Sequence, residues 1–490
     1  MENDSEKPLV VLIHNEFGYP NNFLPNEIYP EFETAGIHKE INPKNEIFRS
    51  VRELFLHLKF DEKNIGSSVW NPLSEIIEPG NTVLIKPNFV LHRSKCKKTT
   101  RDVLITHPTV ITAVIDYVIL ALKGRGTIII GDSPIQEAVF EDIITYHQMG
   151  DYLNSYKKNT KINIEIIDFR KERSINKIYR EIQRIELAGD PRGYSRIELS
   201  EKSALIDITD QYNQFRVTNY DKEKMLSYHN LKSHSYLIAN SVLKSDVIIS
   251  LPKLKSHRKA GITCALKNLI GINGSKDCLP HHRKGSREEN GDEYLHKSFR
   301  KRLLSNIEEK RAQSTSRFFC FILFLSKLVV YTFERIFPYK ESYKEGNWYG
   351  NETIPKTIID INYILNFVNK NGKLTDMHQK RKLLTITDAI ICGEGEGPLC
   401  SNKKEVGYLL ASQDFLANDI VASLLAGFDP LKIPTILSAM KSPININNID
   451  SNFDIRITSN NRNFQDINTI KTANIIKFEP TSGWKNHIEL

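Results

Sequence analysis

Apolar residues in this chain come in short runs separated by polar turns, and the runs follow two periods. Residues 9–13, 81–85, 127–130 and 247–251 are nearly unbroken apolar stretches of strand length, the form a strand takes when both faces are covered. Residues 48–59, 109–123, 354–369 and 414–425 repeat apolar positions at helical spacing, and further strands are expected at 383–391 and 407–411. Thr106, His107 and Pro108 form a helix start, with proline in the first turn, where its missing N–H costs nothing. Strand, polar turn, helix and strand again is the rhythm of a largely parallel sheet, so the expected fold class is α/β.

The rhythm weakens over 157–221, where short strands at 162–168, 203–208 and 215–218 surround a charged helix or loop at 170–184. That segment reads as an insertion or an antiparallel edge. A short helix is expected at 236–243, and a charged helical stretch from 286 to about 317. Residues 318–333, FFCFILFLSKLVVYTF, are then almost wholly apolar but shorter than the ~20 residues of a membrane span. Three readings stay open for them: a buried helix or oligomer contact, a helix lying in a membrane interface, or a span.

Composition narrows the class without choosing a function. Of the 490 residues 40% are hydrophobic and 26% charged, which fits a folded chain of two to three domains and excludes wholesale disorder. A net charge of +8 is spread over many lysines, so nucleic acid is not an expected partner. The six cysteines, at 96, 264, 278, 320, 392 and 400, make no Cys-x-x-Cys pair and no zinc or iron–sulfur spacing. A reducing, cytoplasmic setting is expected, and Glu2, Asp4 and Glu6 stand where a signal peptide would be basic.

Polar punctuation at four strand ends carries the candidate chemistry. These are Lys86 with Asn88, Asp132 with Ser133, Lys253 with Lys255 and His257, and Glu394 with Glu396. In a parallel sheet ligands sit at the carboxyl ends of strands, so several of these groups are expected at one edge. Each has a plainer alternative. Asp132 and Ser133 also suit a turn that caps a helix, and residues 393–398, GEGEGP, suit either a loop needing positive φ or carboxylates for a magnesium ion. Lysines crowded past a buried strand either fan into water or hold an anion, because like charges repel. Lys267 and Asn268 lie in a helical apolar pattern, and His281 and His282 follow, an order that could close on one ligand or a metal. The basic loop 92–101 reads as a solvated loop or a mobile anion-gathering lid.

These motifs together resemble the prokaryotic domain-of-unknown-function family DUF362. The resemblance rests on Lys86-Pro87-Asn88, Gly131-Asp132-Ser133, residues 246–251, Pro252 through His257, Lys267 through Gly271 and Gly393 through Pro398, in order from about 80 to 430. Many members carry a ferredoxin-like segment; this chain lacks its cysteines, so an iron–sulfur cluster is not expected. A longer subgroup that it resembles is associated with cell-surface polysaccharide production. His257, Ala260-Gly261, Lys267 and the later histidines also resemble, distantly, the nickel-pincer lactate racemase family, where the lysine anchors the cofactor. This chain departs from it at Thr263-Cys264-Ala265-Leu266, where that family has a Ser-Gly-Gly run.

What the resemblance implies is two α/β domains, 1–285 and 346–490, with an interdomain cleft and a helical, partly apolar insertion at 286–345. The expected function is an enzyme of unresolved reaction on a small anionic substrate, a carboxylate or phosphorylated sugar-like molecule. His257, Lys267 and Asp132 are its catalytic candidates; Lys86, Asn88, Ser133, Lys253, Lys255 and Asn268 bind substrate; Glu394, Glu396, His281 and His282 are candidate ligands of a divalent metal. The alternatives are a metal- or redox-carrying accessory protein using Cys264, Cys278, Cys392 or Cys400, and a scaffold at the inner face of a membrane using 318–333. An oligomer is compatible with each.

Overall fold

The computed structural model describes residues 7–33, 38, 40–177, 179, 181–337, 341, 343–378, 381–473 and 476–490. The acidic N-terminal residues named above lie outside them. Ten strands join one sheet: β1 (Leu9–His14), β2 (Thr82–Pro87), β3 (Thr127–Asp132), β4 (Asn163–Asp168), β5 (Val247–Leu251), β6 (Lys253–His257), β7 (Gly261–Thr263), β8 (Lys382–Glu396), β9 (Cys400–Ser412) and β10 (Arg456–Ser459). Across the sheet the order is β10-β1-β9-β8-β5-β2-β3-β4, with β6 against β8 and β7. Of the eight strands in that row only β9 runs against its neighbours.

The α/β class and the largely parallel sheet are therefore as the patterning implies. Strands from 1–285 and from 346–490 nevertheless share this sheet, because β5 pairs in parallel with both β2 and β8. The helices Glu46–His57 and Pro108–Leu122 bury their apolar residues with one face of the sheet, and Thr353–Phe367 and Phe415–Leu425 with the other. His107 caps Pro108–Leu122, its Nδ1 facing the Thr109 N–H.

Local expectations fail where tertiary pairing overrides local pattern. The charged stretch within 170–184 forms a hairpin, Glu172–Asn176 against Ile182–Glu186. Residues expected as a strand at 203–208 enter a 3-10 helix, Ile206–Gln214. The helix expected at 236–243 is mostly a strand, Ser233–Ala239, paired with Tyr194–Glu198, and only Asn240–Leu243 is helical.

Two helices, Phe299–Gln313 and Arg317–Ile336, occupy the segment expected to be helical. The second buries only Cys320, Leu323 and Val330, while Phe318 is 75% exposed and Leu325, Val329 and Phe333 also face outward. A wholly buried helix is thus corrected to one with an exposed apolar face. Among the described residues no helix is long and apolar enough to cross a membrane.

Cys96 and Cys400 are bonded, 304 residues apart, which corrects the expectation that all six cysteines stay reduced. The bond ties the basic loop to the start of β9, and Thr99 adds a hydrogen bond to the Ser401 carbonyl at 2.7 Å. A loop held at two points is not the mobile lid that its charge suggested.

The short helix Ala265–Asn268, which carries Lys267, hangs from Asp419. The Asp419 carboxylate accepts the Ala265 and Leu266 N–H groups at 2.7 and 3.1 Å. Burial pushes its pKa up to about 7. Replacing Asp419 with alanine leaves two buried N–H groups unmet, and thermal denaturation is expected to show a loss of about 1–3 kcal/mol. Unchanged stability contradicts this support for the helix.

Candidate functional site

Pro252 interrupts the apolar run but not the sheet. Beyond it β6 continues in the sequence Lys253-Leu254-Lys255-Ser256-His257, with a register shift against β8. Alternate residues of a strand share a face, so Lys253, Lys255 and His257 point one way. All three are buried, and the two lysines are 0% exposed. An ammonium taken out of water costs several kcal/mol unless it is compensated.

Lys253 is compensated by β8. Its Nζ lies 3.0 Å from Asp388 Oδ2, donates to the Tyr19 hydroxyl and sits over the Tyr19 ring. Asp388 also accepts the Tyr19 O–H at 2.6 Å and the His107 N–H at 3.0 Å. Lys86, at the end of β2, is likewise matched: its Nζ is 2.7 Å from Asp132 Oδ1 at the end of β3. Asp132 further accepts the Phe89 and Ser133 N–H groups at 2.6 and 2.8 Å, so both oxygens are engaged. In this geometry it holds Lys86 and the loop after β2.

Among the described residues Lys255 has no carboxylate partner. Its Nζ donates to Asn88 Oδ1 at 2.8 Å and to the Leu104 carbonyl at 2.6 Å. Asn88 passes a hydrogen bond to Asn268 Oδ1, which also accepts from Lys86, both at 3.3 Å. Asn268 in turn donates to the Lys86 carbonyl and to Ser250 Oγ, at 3.0 and 2.9 Å. Lys86, Asn88, Asp132, Lys255 and Asn268 thus form one network across the strand ends. Ser133 joins it through its N–H, given to the Gly271 carbonyl at 2.8 Å. Gly271 is required there, since a Cβ would overlap Asp132 Oδ1 and crowd Lys86 Nζ.

Lys267 stands over this network without any hydrogen bond or ion pair among the described residues. It is half-buried, and burial, with the charge of Lys86, brings its pKa down to about 8. Burial holds Lys255 well below the ordinary lysine range, with Lys253 and Lys267 adding repulsion. The same pressure holds His257 and His281 neutral, each within electrostatic reach of Lys267.

The two histidines present opposite chemistry. His257 Nδ1 accepts the N–H groups of Lys259 and Ala260 at 3.1 and 3.2 Å, which puts the proton of the neutral ring on Nε2. His281 Nδ1 lies 2.7 Å from the Leu279 carbonyl, so that nitrogen carries the proton and Nε2 keeps its lone pair. One ring can donate and the other can accept. His282, on the opposite face of the chain, instead lines a separate cavity of about 550 Å³ with Arg216, Lys301 and Glu293. Lys259 and Lys276 border the cluster, each with a pKa lowered by burial to about 8.

The expected metal grouping does not form. Glu394 Oε2 accepts the Glu479 N–H at 3.0 Å, and Glu396 Oε1 accepts the Ser482 N–H at 2.6 Å. Both carboxylates pin the C-terminal segment, and neither joins His281 or His282 in a ligand cluster among the described residues. The glycine after them serves close approach: a Cβ on Gly397 would overlap the Ser256 carbonyl. Cys264, Cys278 and Cys392 are buried with thiols pushed up, Cys278 to about 12, and Cys400 is spent in the disulfide. None of them meets the histidines in a ligand set, which corrects the thiolate reading.

Sequence reasoning missed Tyr19, Asp388, Lys276 and Asp419. Asp388 carried a faint signal as an acidic residue within an otherwise apolar run, ITDAII. Tyr19 carried none, lying in a polar loop 369 positions away.

A curated relative from Synechocystis sp., named a thylakoid-associated protein, is 22% identical over 376 residues, 76% of this chain and 71% of its own. Among solved structures, a Thermotoga maritima protein aligns with 70% of this chain at 9% identity and a TM-score of 0.27; the chain spans 54% of that protein's length. The family described as "Domain of unknown function (DUF362)" matches residues 83–191 and 187–423, together most of the chain. From the strand-end lysines to the GEGEGP turn, the elements that build the site lie inside that match, and the chain belongs to the DUF362 family.

Proposed function

We propose that the chain binds a small anion, a carboxylate or a phosphate ester, over Lys267 and acts on it as an enzyme. The observation that carries this reading is an imbalance. Lys86 and Lys253 each have a buried carboxylate, whereas among the described residues Lys255, Lys267 and Lys276 have none within ion-pair distance. An anion at this spot offsets the burial, and for Lys255 and Lys267 the repulsion, that lower their pKa values.

Around such a ligand the groups divide their work. Lys255 and Lys267 supply charge, and His257 Nε2–H donates a hydrogen bond. His281 Nε2, with its free lone pair, takes or returns a proton. Lys267, with its pKa near neutrality, also exchanges a proton within the ordinary range of pH. His257 is the weaker base of the two, because its acceptor nitrogen already faces two N–H groups. Asp132 and Asp388 hold the lysines in place.

The exposed face of Arg317–Ile336 supports peripheral attachment to a membrane. Phe318, Leu325, Val329 and Phe333 recur on one side of the helix, flanked by Arg317 and Arg335, as in helices that lie in the interface. The printed name of the Synechocystis relative is consistent with a membrane setting.

Calorimetric titration with inorganic phosphate, sugar phosphates and hydroxy acids tests the anion site. At least one anion is expected to bind the wild type, and Lys267→Met to weaken it roughly tenfold or more, the loss of one desolvated charge contact. Absence of binding by every anion, or wild-type affinity in the variant, contradicts the site. Affinity is also expected to fall as pH rises through about 8, where Lys267 loses its proton and with it the attraction for the anion; a profile flat from pH 7 to 10 opposes the assignment. For the membrane, flotation with anionic vesicles is expected to carry the wild type and to lose the double variant Leu325→Glu, Val329→Glu. Equal flotation of both rejects the helix as the attachment point.

A further inference from the structure

We propose that Asp102, His107 and His147 form a binding site for a divalent transition metal ion, zinc(II) by its donor set. The site shares no side chain with the anion site. Asp102 lies on the short helix Arg101–Leu104, His107 caps Pro108–Leu122, and His147 sits on the turn before Met149–Asn159. Two stretches of chain, 102–107 and the turn at 147, therefore bring these ligand atoms to a common point.

The geometry is close to that of a bound ion. His107 Nε2 and His147 Nε2 lie 3.7 and 3.9 Å from Asp102 Oδ1, and all three atoms fall within 4.8 Å of one another. Ligands about 2.0–2.1 Å from a tetrahedral zinc are about 3.3 Å apart, so each histidine–aspartate distance has to shorten by only about half an ångström. An octahedral ion at similar bond lengths needs edges nearer 3.0 Å and a larger movement. Two imidazole nitrogens disfavour magnesium and calcium, which take oxygen.

The ring of His107 carries the argument furthest. It is 1% exposed, and its Nε2 makes no hydrogen bond among the described residues, lying 3.7 Å from Asp102 Oδ1. Its Nδ1 lies 2.8 Å from Thr109 Oγ1 and 3.3 Å from the Thr109 nitrogen, so a metal at Nε2 requires the tautomer in which Nδ1–H donates to Oγ1 in place of the capping contact. The Tyr19 ring stacks on it at 3.8 Å and fixes its plane. Tyr146 donates to Asp102 Oδ1 at 2.6 Å, a second orienting bond on the carboxylate. His147 is partly exposed, so an ion reaches the cluster from solvent and retains a fourth position for water.

The location also ties the ion to the lysine row. Leu104, at the end of the Asp102 helix, accepts from Lys255, and His107 N–H donates to Asp388, the counter-charge of Lys253. A bound ion would clamp both supports.

The test uses the full chain, stripped of metal by chelation and titrated with zinc chloride by calorimetry and X-ray absorption. One zinc per chain with a nitrogen and oxygen shell is expected. His147→Ala, a change at a partly exposed turn, is expected to weaken binding roughly tenfold or more, as is Asp102→Asn, whereas Glu394→Gln leaves it unchanged. No zinc uptake by the wild type, sulfur in the shell, or wild-type affinity in both His147→Ala and Asp102→Asn overturns the site. Phosphate binding, measured separately on the same samples, reports on the anion site alone.

Discussion

Burial of lysine at the ends of a parallel sheet is the constraint on which the rest of this structure depends. Lys86, Lys253 and Lys255 are wholly removed from solvent, and each unmatched ammonium is costly enough to unfold a marginal domain. The fold answers with Asp132 for Lys86 and with Asp388 and Tyr19 for Lys253. For Lys255 it supplies only neutral oxygens, and for Lys267 nothing. Where compensation stops, a ligand site begins.

Each compensating group also fixes backbone. Asp132 holds the loop after β2, Asp388 holds the start of the Pro108–Leu122 helix through His107, and Asp419 holds the helix that carries Lys267. The carboxylates thereby turn an electrostatic cost into positional order. Backbone contacts also set the complementary tautomers of His257 and His281, so donor and acceptor are in place before any ligand arrives.

Much of this was legible in the chain itself, and the reasons for the gaps are physical. Continuous apolar runs and helical patterning found the central strands and long helices, because those elements bury the residues that made the pattern. The alternation Lys253, Lys255, His257 was equally visible, but it reads as a strand only once charged residues are allowed on the inward face. Lysines show up in sequence because they cluster; their partners do not, since Asp388 and Tyr19 come from other strands and loops. Glu394 and Glu396 misled for the opposite reason. Their spacing suited a metal, yet the β8–β9 hairpin turned them toward the C-terminal segment, while His107 and His147 came together without any spacing rule. The one-sheet arrangement was likewise hidden, because patterning locates strands but does not say which strands pair.

The central claim is that Lys267 is an unpartnered amine, its proton loosened by burial and by neighbouring cations and available to an anion. Nuclear magnetic resonance of isotope-labelled lysine side chains, assigned with Lys267→Arg, reads that proton directly. The Lys267 signal is expected to titrate near pH 8 in the free protein and to move upward when phosphate or another bound anion is added. Titration above pH 10, unmoved by every anion, would contradict the claim and leave Lys267 an ordinary solvated lysine.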